Sequence, residues 1–185
     1  MGPDAGTAIV SGVGLGFANV VRPGGVGLVA ASGTGAQLLT CLLDAAGVGI
    51  SHVLGVGGRD LSASVAGRST LRALELLEAD AATQHIVVLG KPPAREVAER
   101  IAEVAGSMTT PVTIALLGEG QPDLTQRAEE VLAAVGGEVP DRWPTWGKRP
   151  LPGVPGRLVG LFSGGTLCAE ATLIARVSLA GVRAN

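Results

Sequence analysis

Short apolar runs alternate along this chain with longer stretches in which apolar residues recur every three or four positions. Val26-Gly27-Leu28-Val29-Ala30-Ala31, entered through Gly24-Gly25, reads as a short buried strand. Leu38, Leu39, Leu42, Leu43 and Ala46 follow at helical spacing. The alternation then repeats. Ile50 to Gly55 reads as a second strand, and Leu71, Leu74, Leu76 and Leu77 after Ser69 as a helix edged by Glu75, Glu78 and Asp80. His85 to Leu89 gives a third strand, and its helix, 94–105, puts Val97, Ile101 and Val104 on one face. Glu96 and Arg100 stand one turn apart there, the spacing of a solvated ion pair. Val112 to Leu117 gives a fourth strand. Pro122 and Asp123 open the helix after it, Leu124, Ala128, Val131, Leu132 and Val135 face inward, and Gly136-Gly137 stops it. Upstream, Ala8-Ile9-Val10 and Leu15-Gly16-Phe17-Ala18 suggest two further short strands.

Four strand–helix alternations with short links predict an α/β fold, a flavodoxin-like doubly wound parallel sheet over 26–137. In such sheets ligands collect at the carboxyl ends of the strands, beside the switch point. The glycine-rich turns at 32–35, 57–60, 90–93 and 118–120 all follow a strand and would line one rim. From 138 to 157 the chain carries five of its eleven prolines and both tryptophans, so it reads as a linker or a surface strap. Trp143 and Trp146 are expected to pack onto the domain, the alternative being contact with a partner. Over 158–185 the opening pattern returns. Leu158 to Phe162 reads as a strand, Ser163-Gly164-Gly165-Thr166 as a turn, and the residues after it as a helix. One strand and one helix cannot bury their own faces, so this unit must pack on the first domain or on another copy.

Composition narrows the partners. Hydrophobic residues make up 46% of the 185 and aromatics only 2%, so the core is aliphatic, as suits strands buried on both faces. A net charge of −2 and the lack of any tyrosine supply neither an electrostatic footprint nor a stacking platform for nucleic acid. No apolar run approaches the roughly 18–20 residues that span a bilayer. Met1-Gly2-Pro3-Asp4 is not a basic segment before an apolar one, so a cytoplasmic location is expected. Two cysteines, Cys41 and Cys168, form no metal or disulfide pattern and are expected to be buried in helices.

The candidate chemistry sits at two turns. Ser32, Gly33 and Thr34 join a strand to a helix, and Ser163, Gly164, Gly165 and Thr166 do the same. Free N–H groups at a helix start, with the positive end of its dipole, accommodate an anion such as phosphate. The hydroxyls serve either as extra donors or as ordinary helix caps. Lys91 and Arg59, each in a strand-end turn, are candidates for charge neutralisation. His52 and His85 fall within or at the start of strands and read as structural. No metal-ligand spacing is evident.

The runs Leu15-Gly16-Phe17-Ala18-Asn19-Val20, Ala31-Ser32-Gly33-Thr34-Gly35, Gly55-Val56-Gly57-Gly58-Arg59-Asp60-Leu61, Lys91-Pro92-Pro93 and Gly160-Leu161-Phe162-Ser163-Gly164-Gly165-Thr166-Leu167-Cys168 resemble the succinyl-CoA synthetase α-subunit superfamily, in its FdrA-like branch. The resemblance implies a CoA-ligase domain in which two helix N-termini face each other across a phosphoryl group. It makes residues 1–25 an extension from a CoA-binding domain outside this chain, and 158–185 the start of a second flavodoxin-like unit. CoA is then a ligand only in a full-length context. The Gly-His-Ala-Gly segment of self-phosphorylating relatives is replaced by Gly118-Glu119-Gly120-Gln121-Pro122, the acidic residue after the third strand by Lys91, and the family's cysteine after Gly-Pro-Asp by Ala5. Phosphate or carbamoyl phosphate is therefore the expected ligand, in a carbamoyl transfer of the oxamate carbamoyltransferase type, linked to allantoin breakdown. The alternatives are an ADP-forming acyl-CoA (succinyl-CoA) synthetase subunit and a non-catalytic scaffold. A homo-oligomer or a partner subunit is expected.

Overall fold

The computed structural model describes residues 6–145 and 156–184. Six strands form one sheet: β1 (Ala8–Val10), β2 (Val13–Gly14), β3 (Pro23–Ala30), β4 (Ile50–Gly55), β5 (His85–Gly90) and β6 (Val112–Leu116). Their order is β2-β1-β4-β3-β5-β6. The last four run parallel, with Val29 beside Leu54 on one side and Val88 on the other. The chain leaves β3 for β4 on one side, then returns past β3 to reach β5, so the order reverses at β3. That reversal is the switch point of a doubly wound sheet, and the α/β fold is as the sequence indicates.

Helices cover both faces. On one face α1 (Gly33–Ala45) and α4 (Leu124–Ala134) bury Leu39, Leu43, Leu124 and Leu132 against Leu28, Val87 and Leu89. On the other, α2 (Arg68–Glu78) and α3 (Arg95–Ser107) bury Leu74, Leu77 and Ile101 against Val29, Ile86 and Val88. Successive residues of β3 and β5 thus feed opposite cores, which is why these strands read as unbroken apolar runs. Asp123 caps α4 from Gln126, whose side chain returns the bond, a capping box. A fifth helix, α5 (Gly165–Ser178), lies against α1.

The structure departs from the sequence reading at several places. Residues 8–14, within the stretch read as an extension, form a hairpin that pairs antiparallel with β4 and so extends this sheet. Residues 15–18 are not a strand; the hairpin turns at Ser11 and Gly12, both at positive φ, and its return strand is Val13–Gly14. Residues 158–162 form no strand with any of the described residues, and Leu158 and Leu161 are 80% and 94% exposed. Strand propensity alone does not make a strand without a neighbouring edge to bond. The ion pair on α3 joins Arg95 to Glu99 at 2.8 Å rather than Glu96 to Arg100. Trp143 packs partly buried against the core and donates from Nε1 to Glu129 at 2.8 Å; Trp146 lies outside the described residues.

Candidate anion site at two facing helix starts

The carboxyl ends of β3, β4 and β5 open onto a cavity of about 320 Å³. Ser32, two residues beyond β3, caps α1: its backbone is extended (φ −150°), and Oγ accepts from the Gly35 N–H at 3.0 Å. The same hydroxyl donates its proton to Thr166 Oγ1 at 2.6 Å, across 134 residues of chain. Both residues are buried. The first helix start and the last therefore meet at one point.

Glycines make that meeting possible. A Cβ on Gly164 would collide with the Thr34 side chain, and one on Gly35 would lie 2.7 Å from Ser32 Oγ. On Gly165 the nearest atom would be Lys91 Nζ, at 2.8 Å. The repeated Ser-Gly-Thr and Ser-Gly-Gly-Thr turns are thus two surfaces of one contact, with a lysine beside it.

The electrostatics of the cavity are one-sided. Neither α1 nor α5 carries an acidic residue in its first turn, and the residue before α5, Gly164, gives it no side-chain cap. Lys91 lines the cavity, and no acidic side chain does so among the described residues. Each helix end contributes about 0.3–1 kcal/mol toward an anion when exposed and up to about 2 when partly buried. The Thr166 hydroxyl, having accepted from Ser32, still has its own proton to give. The arrangement supplies backbone amides, a hydroxyl and an ammonium around one space. That is a donor set suited to a small oxyanion.

Of the residues singled out from sequence, Ser32, Gly33, Thr34, Gly164, Gly165, Thr166 and Lys91 line the cavity. Ser163 and Arg59 do not. Ser163 is exposed, two residues before α5 begins. Arg59 points outward because 58–61 wind into a 3-10 turn that buries its neighbour Asp60 instead. That carboxylate accepts from the Ser69 and Thr70 amides, both at 2.8 Å, and from Thr70 Oγ1 at 2.6 Å, so it holds the start of α2. Sequence reasoning missed Asp60 because it lies eight residues before the helix it caps, beyond the reach of local capping patterns. Thr7, just before the N-terminal hairpin, also lines the cavity and was not expected there.

The histidines stay in the sheet. His52 bridges the Ser11 amide and Asp80, and His85, buried, pairs its Nε2 with Thr113 at 2.8 Å. Cys41 is exposed, contrary to expectation, and Sγ accepts from Asn19 Nδ2 at 3.0 Å; Cys168 is half-buried on α5. Desolvation, and then Asp44, hold the Cys41 thiol above the ordinary range, which keeps it protonated.

No protein-family model matches the chain. It is 37% identical over 190 residues to the uncharacterized protein YahF of Escherichia coli K12, a match covering 92% of this chain and 37% of YahF. The chain thus spans a little over a third of that relative. Among solved structures, the dinucleotide forming acetyl-coenzyme A synthetase 1 of Ca. Korarchaeum cryptofilum is similar at 18% identity. Its apo form gives a TM-score of 0.49 over 65% of this chain and 26% of its own. Its complex with phosphate and ADP gives 0.49 over 76% and 29%. No helix among the described residues is long and apolar enough to cross a membrane.

Proposed function

We propose that this chain is the anion-holding core of an acyl-CoA synthetase-type protein of the FdrA-like kind, binding phosphate or an acyl phosphate between the start of α1 and the start of α5. The observation that carries this reading is the 2.6 Å bond between Ser32 and Thr166, which brings two dipole-positive helix ends to one space beside Lys91. A phosphate dianion there accepts from the amides of Gly33, Thr34, Gly165 and Thr166 and neutralises the Lys91 ammonium. Neither histidine lines that space, so the chemistry assigned to it needs no phosphorylated side chain.

The reaction that fits these groups is carbamoyl transfer to phosphate. A phosphate oxygen attacks the carbamoyl carbon and forms the new C–O bond. The C–N bond to oxamate breaks, and the departing nitrogen takes up the proton that phosphate brings. The protein holds the dianion and stabilises the charge that gathers on the carbonyl oxygen, two tasks that fixed N–H donors perform without a nucleophile.

Isothermal titration of the chain with inorganic phosphate, carbamoyl phosphate and CoA tests this. Binding of the first two, weakened about tenfold or more in Lys91→Ala by loss of a charge-assisted contact, is the expected result. CoA binding by the chain itself would favour an ADP-forming acyl-CoA synthetase subunit. Binding of none of the three would leave a scaffold role and overturn the proposal.

A further inference from the structure

Helix α5 sits on the domain in an unusual way. Its two buried residues are both polar, Thr166 and Glu170, while Ile174 and Val177 are 53% and 87% exposed. Thr166 and Glu170 are four residues apart and so share one face of the helix. Thr166 is bonded to Ser32 at the cavity. One turn on, the Glu170 carboxylate accepts from the Leu124 N–H at 2.6 Å, at the first residue of α4. Further along, α5 and the loop 118–123 part around a groove of about 590 Å³, with Leu173 the apolar residue of α5 that touches the core.

We infer that Glu170 is a positioning residue for the anion site: by clamping α5 to the start of α4 it fixes where the amides of Gly165 and Thr166 stand. The inference rests on the reading of the cavity as an anion site. The carboxyl oxygen meets an N–H that the helix start leaves unpaired, a bond that offsets part of what burial costs the group. Hydrophobic packing is non-directional and leaves a helix free to slide or roll. A hydrogen bond of 2.6 Å fixes distance and angle together. With few apolar residues to seat it, α5 depends on Glu170 for its placement one turn beyond the cavity. The clamp also makes the loop 118–123 mechanically continuous with α5, since Asp123 caps the same α4 start that Glu170 grips.

The test is amide NMR of the 15N-labelled chain, free and titrated with inorganic phosphate, for the wild type, Glu170→Leu and Glu170→Gln. Glu170→Gln keeps an oxygen for the Leu124 N–H, whereas Glu170→Leu does not. In the free protein, Glu170→Leu is expected to move the Gly165 and Thr166 amide resonances while those of Leu28 and Val87 stay in place. Glu170→Gln is expected to leave all four near their wild-type positions. With phosphate, Glu170→Leu should bind about tenfold more weakly, the size expected for losing part of a donor set, and Glu170→Gln should rescue most of that loss. Unmoved Gly165 and Thr166 amides in Glu170→Leu would overturn the inference, whatever phosphate does. If phosphate moves no amide in the wild type, the anion site is wrong, and the free-protein spectra still decide whether Glu170 places α5. Should Glu170→Leu not fold, Glu170→Asp shortens the reach by one methylene and must move the same two amides.

Discussion

Ser32 and Thr166 share a hydroxyl–hydroxyl bond of 2.6 Å although 134 residues separate them. Ser32 stands at the junction of three interactions: the cap of α1, the bond to α5 and the edge of the cavity. Ser32→Ala removes the first two at once. Loss of the cap alone costs about 1 kcal/mol, which in a chain of this size lowers the melting temperature by about 2–4 °C. Phosphate affinity should fall in parallel. A Ser32→Ala protein that melts as the wild type does would mean that neither bond matters in solution.

Gly164 and Gly165 are neighbours with different tasks, and substitution separates them. A methyl on Gly164 meets the body of Thr34, next to the helix backbone, whereas on Gly165 it meets the tip of a flexible lysine. Gly164→Ala should cost about 1–3 kcal/mol by overpacking and push the two turns apart. Gly165→Ala should leave the denaturant midpoint unchanged within error and lower phosphate affinity by displacing the Lys91 ammonium. Equal destabilisation of both variants would contradict the contact described here.

How far these features are legible in sequence depends on the range over which each is decided. The strands β3 to β6 and their helices are written locally, in apolar runs and 3.6-residue periods. The repeated Ser-Gly-Thr pattern announces two helix starts but cannot say that they touch; only the folded crossing of α5 over α1 does. Leu158 to Phe162 illustrates the limit from the other side. Its residues are those of a strand, yet a strand needs a partner edge, and in this chain the edges of the sheet are β2 and β6. Ala8 and Ile9 were readable as a strand, but their pairing with Val53 and Leu54 was not, because antiparallel addition at an edge leaves no local signature. Glu170 and Asp60 were passed over for a shared reason: each caps a helix from outside it, and the spacing carries no pattern.

Asp60 offers the sharpest test of such remote capping. Its two oxygens divide the work: Oδ1 accepts from the Ser69 amide, while Oδ2 accepts from the Thr70 amide and hydroxyl. Asp60→Ala leaves these donors without their acceptor in a buried place and should cost about 1.5–3 kcal/mol, the range for hydrogen bonds to a charged group. Asp60→Asn should cost nearly as much, because its NH2 group must face a backbone N–H whichever way the amide is turned. Urea midpoints measured at unchanged slope would show both losses. An Asp60→Asn protein as stable as the wild type would mean that one oxygen suffices.

The last prediction concerns acid. Burial in β5 holds the His85 imidazole below its ordinary value of 6.5, because a charged ring there would be stripped of water. The unfolded chain therefore takes up this proton first as pH falls through about 6.5. Acidification draws the equilibrium toward the unfolded side, and the loss continues until pH reaches the lower value of the folded state. Glu170 works in the opposite sense. Its carboxyl is raised by burial, so its contribution is complete below the ordinary glutamate value and fades as pH rises through the folded one. Comparing the wild type with His85→Gln isolates the histidine, since the glutamate remains in both and the glutamine amide can still meet Thr113 Oγ1. Between pH 7.5 and 5.5 the urea midpoint of the wild type should fall by more than that of His85→Gln. Parallel falls in the two proteins would show that this proton is taken up equally well by the folded chain.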